Sequence, residues 1–370
     1  MYVLINVNYF LIKDLCMKIL FDHQIFDIIY GGAAKYFAML INYMPKDSWE
    51  TTSLYSSNEY IKAKNLFKTH KYLFRGQSRL VDVINRPYTN YCLRSKKFDV
   101  FHQTNFGTYC IKDLGNKPMV TTYHDSNLST IDPHPKIVEM QKISLKRADS
   151  IICVSKNTKK DMMNIFNVDE KKVKVIYHGI EIPNMDLLPS RRIMDAPYIL
   201  YVGRRSEYKN FRRFITVFSR IHKIYPDINI VCTSSDFSNV ESELFSRLKI
   251  SENLINVSAN EQTMKLLYRD ALFFIFPSFY EGFGMPILES WSCHCPVVLS
   301  NTSCFPEIAG DAGLFFNPEE DDDIYEKMLK MIEDEQLRID MVRKGDVRVK
   351  RFSWKRCVDE HMEVYKSLIY

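Results

Sequence analysis

The chain has 370 residues, 46% of them apolar and 26% charged, with 50 Lys/Arg against 45 Asp/Glu for a net charge of +5. These are ordinary values for a soluble globular protein of about two domains, and they exclude a disordered or collagen-like chain. The positive excess is too mild to argue for nucleic acid, but it is uneven: residues 1–190 carry +8 and residues 191–370 carry −3.

Residues 1–16 are mildly apolar, with Lys13 and Asp14 interrupting the run. Met17-Lys18 then leads straight into Ile19-Leu20-Phe21, so residues 1–16 are expected to be an extension on which function does not depend. Lys18–Phe21 reads as a strand. Gly31-Gly32 opens an amphipathic helix with Tyr36, Phe37, Leu40 and Ile41 at helical spacing. Strands are expected at Val100–His102, Met119–Tyr123, Ser150–Val154 and Lys174–Tyr177. Helical stretches such as Ile137–Arg147 and Lys156–Ile165 lie between them. Such alternation predicts a parallel sheet covered on both faces. A loop with three prolines, Pro183–Pro197, separates this series from a second one. There, strands are expected at Tyr198–Val202, Ile228–Cys232, Leu254–Val257, Phe273–Phe276, Pro296–Leu299 and Gly313–Phe316, with a helix over Asn210–His222. The reading is an α/β chain of two Rossmann-like domains facing across a cleft. The domains span residues 1–188 and 189–352, and a final helix over 353–370 crosses back to the first. Ligands of open α/β sheets bind at the carboxyl ends of the strands.

The nine cysteines are scattered, and Cys293 and Cys295 flank His294 without the two-residue gap of a zinc knuckle. They read as reduced, buried thiols of a cytosolic protein, and no metal is expected. Asp321-Asp322-Asp323 contains a D-x-D, but the apolar spacing after it makes it the first turn of a helix, where acidic residues suit the dipole. No run reaches the ~18 apolar residues that a membrane span needs.

The stretch richest in chemistry runs from Phe276-Pro277-Ser278 through Glu281-Gly282-Phe283-Gly284-Met285-Pro286 to Glu289. A strand ends at Phe276, and Pro286 suits the first turn of a helix. Gly282 and Gly284 let the backbone approach a ligand closely. The amides of Phe283, Gly284 and Met285 then point outward at a helix start, a site suited to phosphate. Glu281 precedes the helix and Glu289 lies about one turn inside it. Two carboxylates at an anion site make sense when the ligand also carries hydroxyls, because an ionised carboxylate accepts from a diol. A nucleotide-sugar has both. A plain strand–turn–helix with two surface glutamates would look the same. Ile287 stands where a dinucleotide fingerprint needs its third glycine.

With these residues in place, the chain resembles the retaining glycosyltransferases of family 4, which have the GT-B fold. The resemblance rests on the E-x7-E pair, Gly31-Gly32, Tyr123-His124-Asp125 and Arg147–Ser155. It extends to Tyr201–Arg205 with Lys209-Asn210-Phe211, to Pro306-Glu307 and to Gly310–Gly313. The segments Phe21–Phe26, Phe98–Thr104 and Tyr201–Phe211 look most like bacterial mannosyltransferases of polysaccharide or O-antigen assembly. Val231–Ser235 stands where many members have a glycine-rich turn.

The resemblance implies transfer of a hexose, mannose by preference, from a nucleotide diphosphate sugar to a glycan or lipid-linked glycan, without a metal or other cofactor. GDP-mannose is the expected donor. Glu289 resembles the ribose ligand and Glu281 the carboxylate that holds the donor sugar. Arg205 (or Arg204) and Lys209 resemble the cations that neutralise the diphosphate. Gly31-Gly32 resembles the loop against which diphosphate and acceptor pack, and His124 the histidine on the donor sugar. A phosphorylase or sugar-nucleotide hydrolase on the same fold, or a non-catalytic partner subunit, is the alternative. Residues 61–97 hold ten Lys/Arg against Asp82 alone, with Phe67, Tyr72, Leu73 and Phe74 between them. A solvated basic face explains this; contact with an anionic bilayer or a lipid pyrophosphate is the rival reading. A cytoplasmic enzyme, peripheral on the inner face of the membrane, is expected.

Overall fold

A computed structural model describes residues 17–370 apart from 72–73, 75, 128–130 and 132. The expected 1–16 extension, and Tyr72, Leu73 and Arg75 of the basic segment, lie outside the described residues. Contacts divide the chain into two units. Unit 1 comprises the residues up to Gly179 together with Trp354–Tyr370, and unit 2 is Ile180–Ser353. The sequence reading drew these limits at 188 and 352.

Unit 1 is built on a parallel sheet of β1 (Ile19–Phe21), β2 (Trp49–Thr51), β3 (Val100–Gln103), β4 (Met119–Tyr123), β5 (Ser150–Cys153) and β6 (Val173–Val175). Their order is β2-β1-β3-β4-β5-β6. Unit 2 repeats the plan with β7 (Tyr198–Val202), β8 (Asn229–Thr233), β9 (Leu254–Asn256), β10 (Phe273–Phe276), β11 (Val297–Ser300) and β12 (Leu314–Phe316). Here the order is β12-β11-β10-β7-β8-β9. A parallel sheet covered on both faces needs strands that are apolar throughout. The central strands Phe273–Phe276 and Val297–Ser300 are buried at every residue.

The helices follow from spacing and caps. Phe211, Phe214, Ile215, Phe218 and Ile221 recur at helical intervals, and the helix Phe211–His222 buries all five against the unit 2 sheet. Ser155 caps Lys156–Phe166 by accepting from Thr158 N at 3.0 Å. Asn239–Leu248 opens on a capping box of Ser238 and Glu241. The D-x-D does form a first turn, that of the helix Asp321–Glu333.

The last helix, Trp354–Lys366, packs in unit 1 against the helix Gly32–Tyr43. Polar contacts fix it there. His361 Nδ1 donates to the Cys357 carbonyl at 2.6 Å, so its Nε2 accepts from the Tyr36 hydroxyl, also at 2.6 Å. The Tyr365 hydroxyl lies 2.6 Å from His102 Nδ1, and Thr122 Oγ1 lies 2.9 Å from His102 Nε2. Burial holds these histidines neutral: His361 is pushed down to about 4, and His102 and His178 fall well below the usual range. His124 is pushed down to about 3 and His23 to about 4 by the same cause.

These shifts predict that unit 1 loses stability in acid. A histidine that titrates lower in the fold than at its ordinary 6.5 costs stability as pH falls below 6.5, because the unfolded chain takes up the proton first. Asp22 and Asp27, raised by burial to about 7 and about 8, act in the opposite sense. Five histidines outweigh two carboxyls between pH 6.5 and 4. The melting temperature is expected to fall by at least ~5 °C between pH 7 and pH 5. Amide protection in Trp354–Lys366 is expected to weaken early in that descent. A melting temperature unchanged at pH 5 would contradict the sign.

Candidate donor site

The strand order of unit 2 reverses its direction of winding between β7 and β10. Loops leaving the carboxyl ends of those two strands diverge there and leave a crevice, the usual ligand position in such sheets. The loop after β7 holds Arg204, Arg205 and Lys209, and the loop after β10 holds Glu281, Gly282, Phe283 and Gly284. Across this seam the Lys209 ammonium contacts the Glu281 carboxylate. Each of the two side chains is only 14% exposed, so each limits the cost of burying the other.

Several bonds hold the pair in place. Ser278 Oγ donates to Glu281 Oε1 at 2.8 Å. The Ser303 hydroxyl, on the loop after β11, accepts from Glu281 N at 3.1 Å and donates to Glu281 O at 2.6 Å. Phe279 N donates to the Tyr208 carbonyl at 2.8 Å, which ties the Glu281 loop to the Lys209 loop. Thr302 Oγ1 donates to Phe279 O at 3.0 Å. Three neighbouring strands thus contribute loops to one cluster. Ser278 was within the motif that the sequence singled out. Ser303 carried no local signal, since its bonds to Glu281 span 22 positions.

The helix Met285–Ser292 begins directly after this loop, with Pro286 in its first turn and no side-chain cap. Gly284 has φ +86°, and a Cβ there would stand 3.0 Å from Ile287 Cδ1, so the turn requires glycine. Gly282, Phe283, Gly284 and Met285 are buried. The helix start brings positive partial charge to this point of the loop. Glu289 follows one turn on and accepts from the Tyr268 hydroxyl at 3.3 Å.

The two arginines have different surroundings. Arg205 Nε donates to Glu241 Oε1 at 2.5 Å, and its Nη2 donates to the carbonyls of Ser235 and Asp236 at 2.8 and 2.9 Å. Its guanidinium lies 4.8 Å from the Phe237 ring centre. Arg205 thus braces the start of Asn239–Leu248. Arg204 is exposed beside it, and its carbonyl accepts from the Tyr201 hydroxyl at 2.8 Å.

Gly31, Gly32 and His124 belong to unit 1. The sheet of that unit reverses between β1 and β3. Gly31 ends the loop from β1 with φ 154° and ψ 158°, a region that only glycine populates readily, and Gly32 begins the helix. His124 follows β4, and its ring meets Tyr36 and Phe37 of that helix at 5.1 and 5.7 Å. Its Nε2 is buried and has no hydrogen-bond partner among the described residues. The structure therefore gathers His124 with the Gly-Gly helix in unit 1 and Lys209 with Glu281 in unit 2, and sets Glu289 one turn into the helix that follows the Glu281 loop.

The sequence reading gave no role to the residues that fill the unit 1 crevice. Asp22 is fully buried and accepts from Thr104 N at 2.6 Å and Thr104 Oγ1 at 2.5 Å. His23 Nδ1 lies 2.9 Å from Thr89 Oγ1. His23, Asp27 and Asp82 bring three potential ligand atoms within 4.8 Å of one another. Arg86 Nη2 already pairs with Asp82 Oδ2 at 2.7 Å, and Asn85 donates to Asp27 at 3.1 Å. Asp22 sat in a segment the sequence had marked, but its partner Thr104 is 82 positions away.

Known proteins resemble this chain in sequence and in fold. The family description "Glycosyl transferases group 1" matches residues 189–348, and "Glycosyltransferase Family 4" matches residues 30–182. O-antigen chain mannosyltransferase B of Escherichia coli is 30% identical over 301 residues, covering 75% of this chain and 77% of that protein. O-antigen chain mannosyltransferase RfbU of Salmonella typhimurium is 30% identical over 198 residues, 52% of this chain and 53% of its own. Among solved structures, HepE of Anabaena with UDP and glucose superimposes with a TM-score of 0.77 at 16% identity, covering 95% of this chain and 100% of that one. Sucrose-phosphate synthase of Thermosynechococcus elongatus gives 0.75 at 16% identity, covering 95% and 99%. With both halves matched and the fold shared, the chain belongs to the GT-B glycosyltransferases of family 4.

Proposed function

We propose that this chain transfers a hexose from a nucleotide diphosphate sugar to a glycan or lipid-linked glycan acceptor in cell-surface polysaccharide assembly, with retention at the anomeric carbon and without a metal. The observation that carries the reading is the contact between Lys209 and Glu281 at the β7–β10 seam, with Glu289 one turn into the adjoining helix. A ligand that fits all three presents an anionic phosphate to the ammonium and hydroxyls to each carboxylate. The mannosyltransferase names of the relatives favour mannose as the sugar, and GDP-mannose is the donor proposed.

In this reading Glu289 accepts from the ribose hydroxyls and Glu281 from those of the donor sugar. Lys209 turns toward the diphosphate, joined by the amides at the start of Met285–Ser292. Arg204 supplies the second cation, because Arg205 is engaged with Glu241. The family resemblance assigns His124 a contact to the donor sugar and Gly31 and Gly32 close approach to a ligand, and the His124 Nε2 has no other hydrogen-bond partner among the described residues. As the bond from the anomeric carbon to the phosphate oxygen breaks, charge grows on the diphosphate. Fixed cations and helix amides stabilise that charge as it forms. The acceptor hydroxyl attacks from the face the diphosphate leaves, and its proton passes to the departing phosphate oxygen. No further carboxylate is then needed as base. In this reading the enzyme works in the cytoplasm, peripheral on the inner face of the membrane.

The reading is tested by incubating the full chain with labelled GDP-, UDP-, ADP- and dTDP-sugars and lipid-linked glycan acceptors in excess EDTA. Transfer from one donor, strongest for GDP-mannose, with an α-linked product by NMR, is expected. Activity lost to chelation and restored by Mg²⁺ or Mn²⁺, an inverted product, or donor hydrolysis that acceptor does not divert, would each overturn a part of it.

A ribose contact acts in ground and transition states alike. Glu289→Ala is therefore expected to raise the donor KM by roughly ten- to a hundredfold, the equivalent of ~1.5–3 kcal/mol for a charge-assisted hydrogen bond, with kcat little changed. Steady-state kinetics at saturating acceptor check this. An unaltered donor KM would remove Glu289 from the ribose site.

A further inference from the structure

The helix Gln77–Ser95 buries one side and carries apolar residues on the opposite one. Val81, Asn85, Thr89, Cys92 and Leu93 are buried against unit 1. On the other side Leu80, Val83, Ile84, Pro87 and Tyr91 are exposed. Their spacing of three, four, seven and eleven residues sets them in one stripe along the helix. Val83 is 66% exposed and Tyr91 61%. A helix on the surface of a globular unit normally turns polar side chains outward, and a contiguous apolar stripe marks a surface that meets something.

The charges around the stripe indicate what it meets. Exposed Arg79 and Arg86 lie along one edge of it, Arg86 paired with Asp82 at 2.7 Å but still half exposed, and exposed Arg94, 3.7 Å from Asp113, lies near its end. The surrounding segment 61–97 has a balance of +9. A second copy of this chain is a poor occupant, because a two-fold pairing would set that charge against itself. An anionic bilayer attracts it, and its interface accepts the aliphatic and aromatic side chains between the arginines. No described helix is long and apolar enough to cross a membrane, so this one would lie along the surface.

We infer that the outward face of Gln77–Ser95 is a docking surface for an anionic lipid bilayer, with Leu80, Val83, Ile84 and Tyr91 entering the headgroup region and the arginines meeting lipid phosphates. This deepens the proposed use of a lipid-linked acceptor and rests on that reading for its purpose. The test needs neither donor nor acceptor, so a failure of transfer leaves its outcome intact.

The full chain is sedimented with vesicles of equal phosphatidylglycerol and phosphatidylcholine, and with phosphatidylcholine alone. Wild type is expected to bind the first and largely ignore the second. Leu80→Gln combined with Val83→Gln and Tyr91→Gln should weaken binding by about tenfold or more, with circular dichroism and melting temperature retained. If that triple variant does not fold, Val83→Gln alone, at the most exposed position, should still weaken binding measurably. Equal binding by wild type and folded variant, or no binding by wild type to either vesicle, overturns the inference. So does a wild-type dimer in analytical ultracentrifugation that the variant abolishes, which would make the stripe a self-association face.

Discussion

A buried ammonium needs a carboxylate, and in unit 2 the two come from different strands. Lys209 leaves β7 and Glu281 leaves β10, and these strands are neighbours only because the sheet reverses its winding between them. Either charge alone in that position would carry a large desolvation cost. Much of the local architecture serves to keep them together. Ser278 holds the carboxylate, Ser303 both polar groups of the Glu281 backbone, and the bond from Phe279 N to Tyr208 O joins the two loops. The cluster offers opposite charges and a helix start within one crevice. That combination suits a ligand that is an anion at one end and a polyol at the other.

Unit 1 uses the same sheet logic differently. Its reversal, between β1 and β3, is filled by the chain's own Asp22, His23, Thr104 and Tyr109. Burial raises Asp22 and lowers His23, so this polar cluster sits near neutrality. The Gly31–Gly32 turn leaves from its edge and leads into the helix on which His124, His361 and the C-terminal helix converge. Two of the histidines lowered by burial, His102 and His361, also fasten the last helix to unit 1.

The sequence revealed what is local. The apolar runs of the central strands could be read directly. So could the helix start at Gly284–Pro286, because strand, glycine turn and proline lie within a dozen residues. Glu281, Glu289 and Lys209 followed from chemistry at that turn and from the family resemblance. Long-range pairing stayed hidden. Nothing near Arg205 announces Glu241, 36 residues on, and nothing near Tyr36 announces His361. The three-residue β2 gave no pattern, being half-buried at each position. The helix Gln77–Ser95 was missed for a different reason. Apolar residues on both sides blur the 3.6-residue period, and Pro87 sits inside it. What obscured that helix in the sequence is also what makes its outward face informative in the structure.

The claim on which the account turns is that Lys209 exchanges Glu281 for a diphosphate. Phosphorus NMR of the bound nucleotide tests it directly. Titrating GDP-mannose into wild type and into Lys209→Met compares the environment of the β-phosphate with and without the ammonium. The account predicts a clear displacement of the β-phosphate resonance in wild type, largely lost in the variant, together with a fall of ~10²–10³ in kcat. An identical β-phosphate resonance in the two bound forms would place the diphosphate elsewhere and contradict the account.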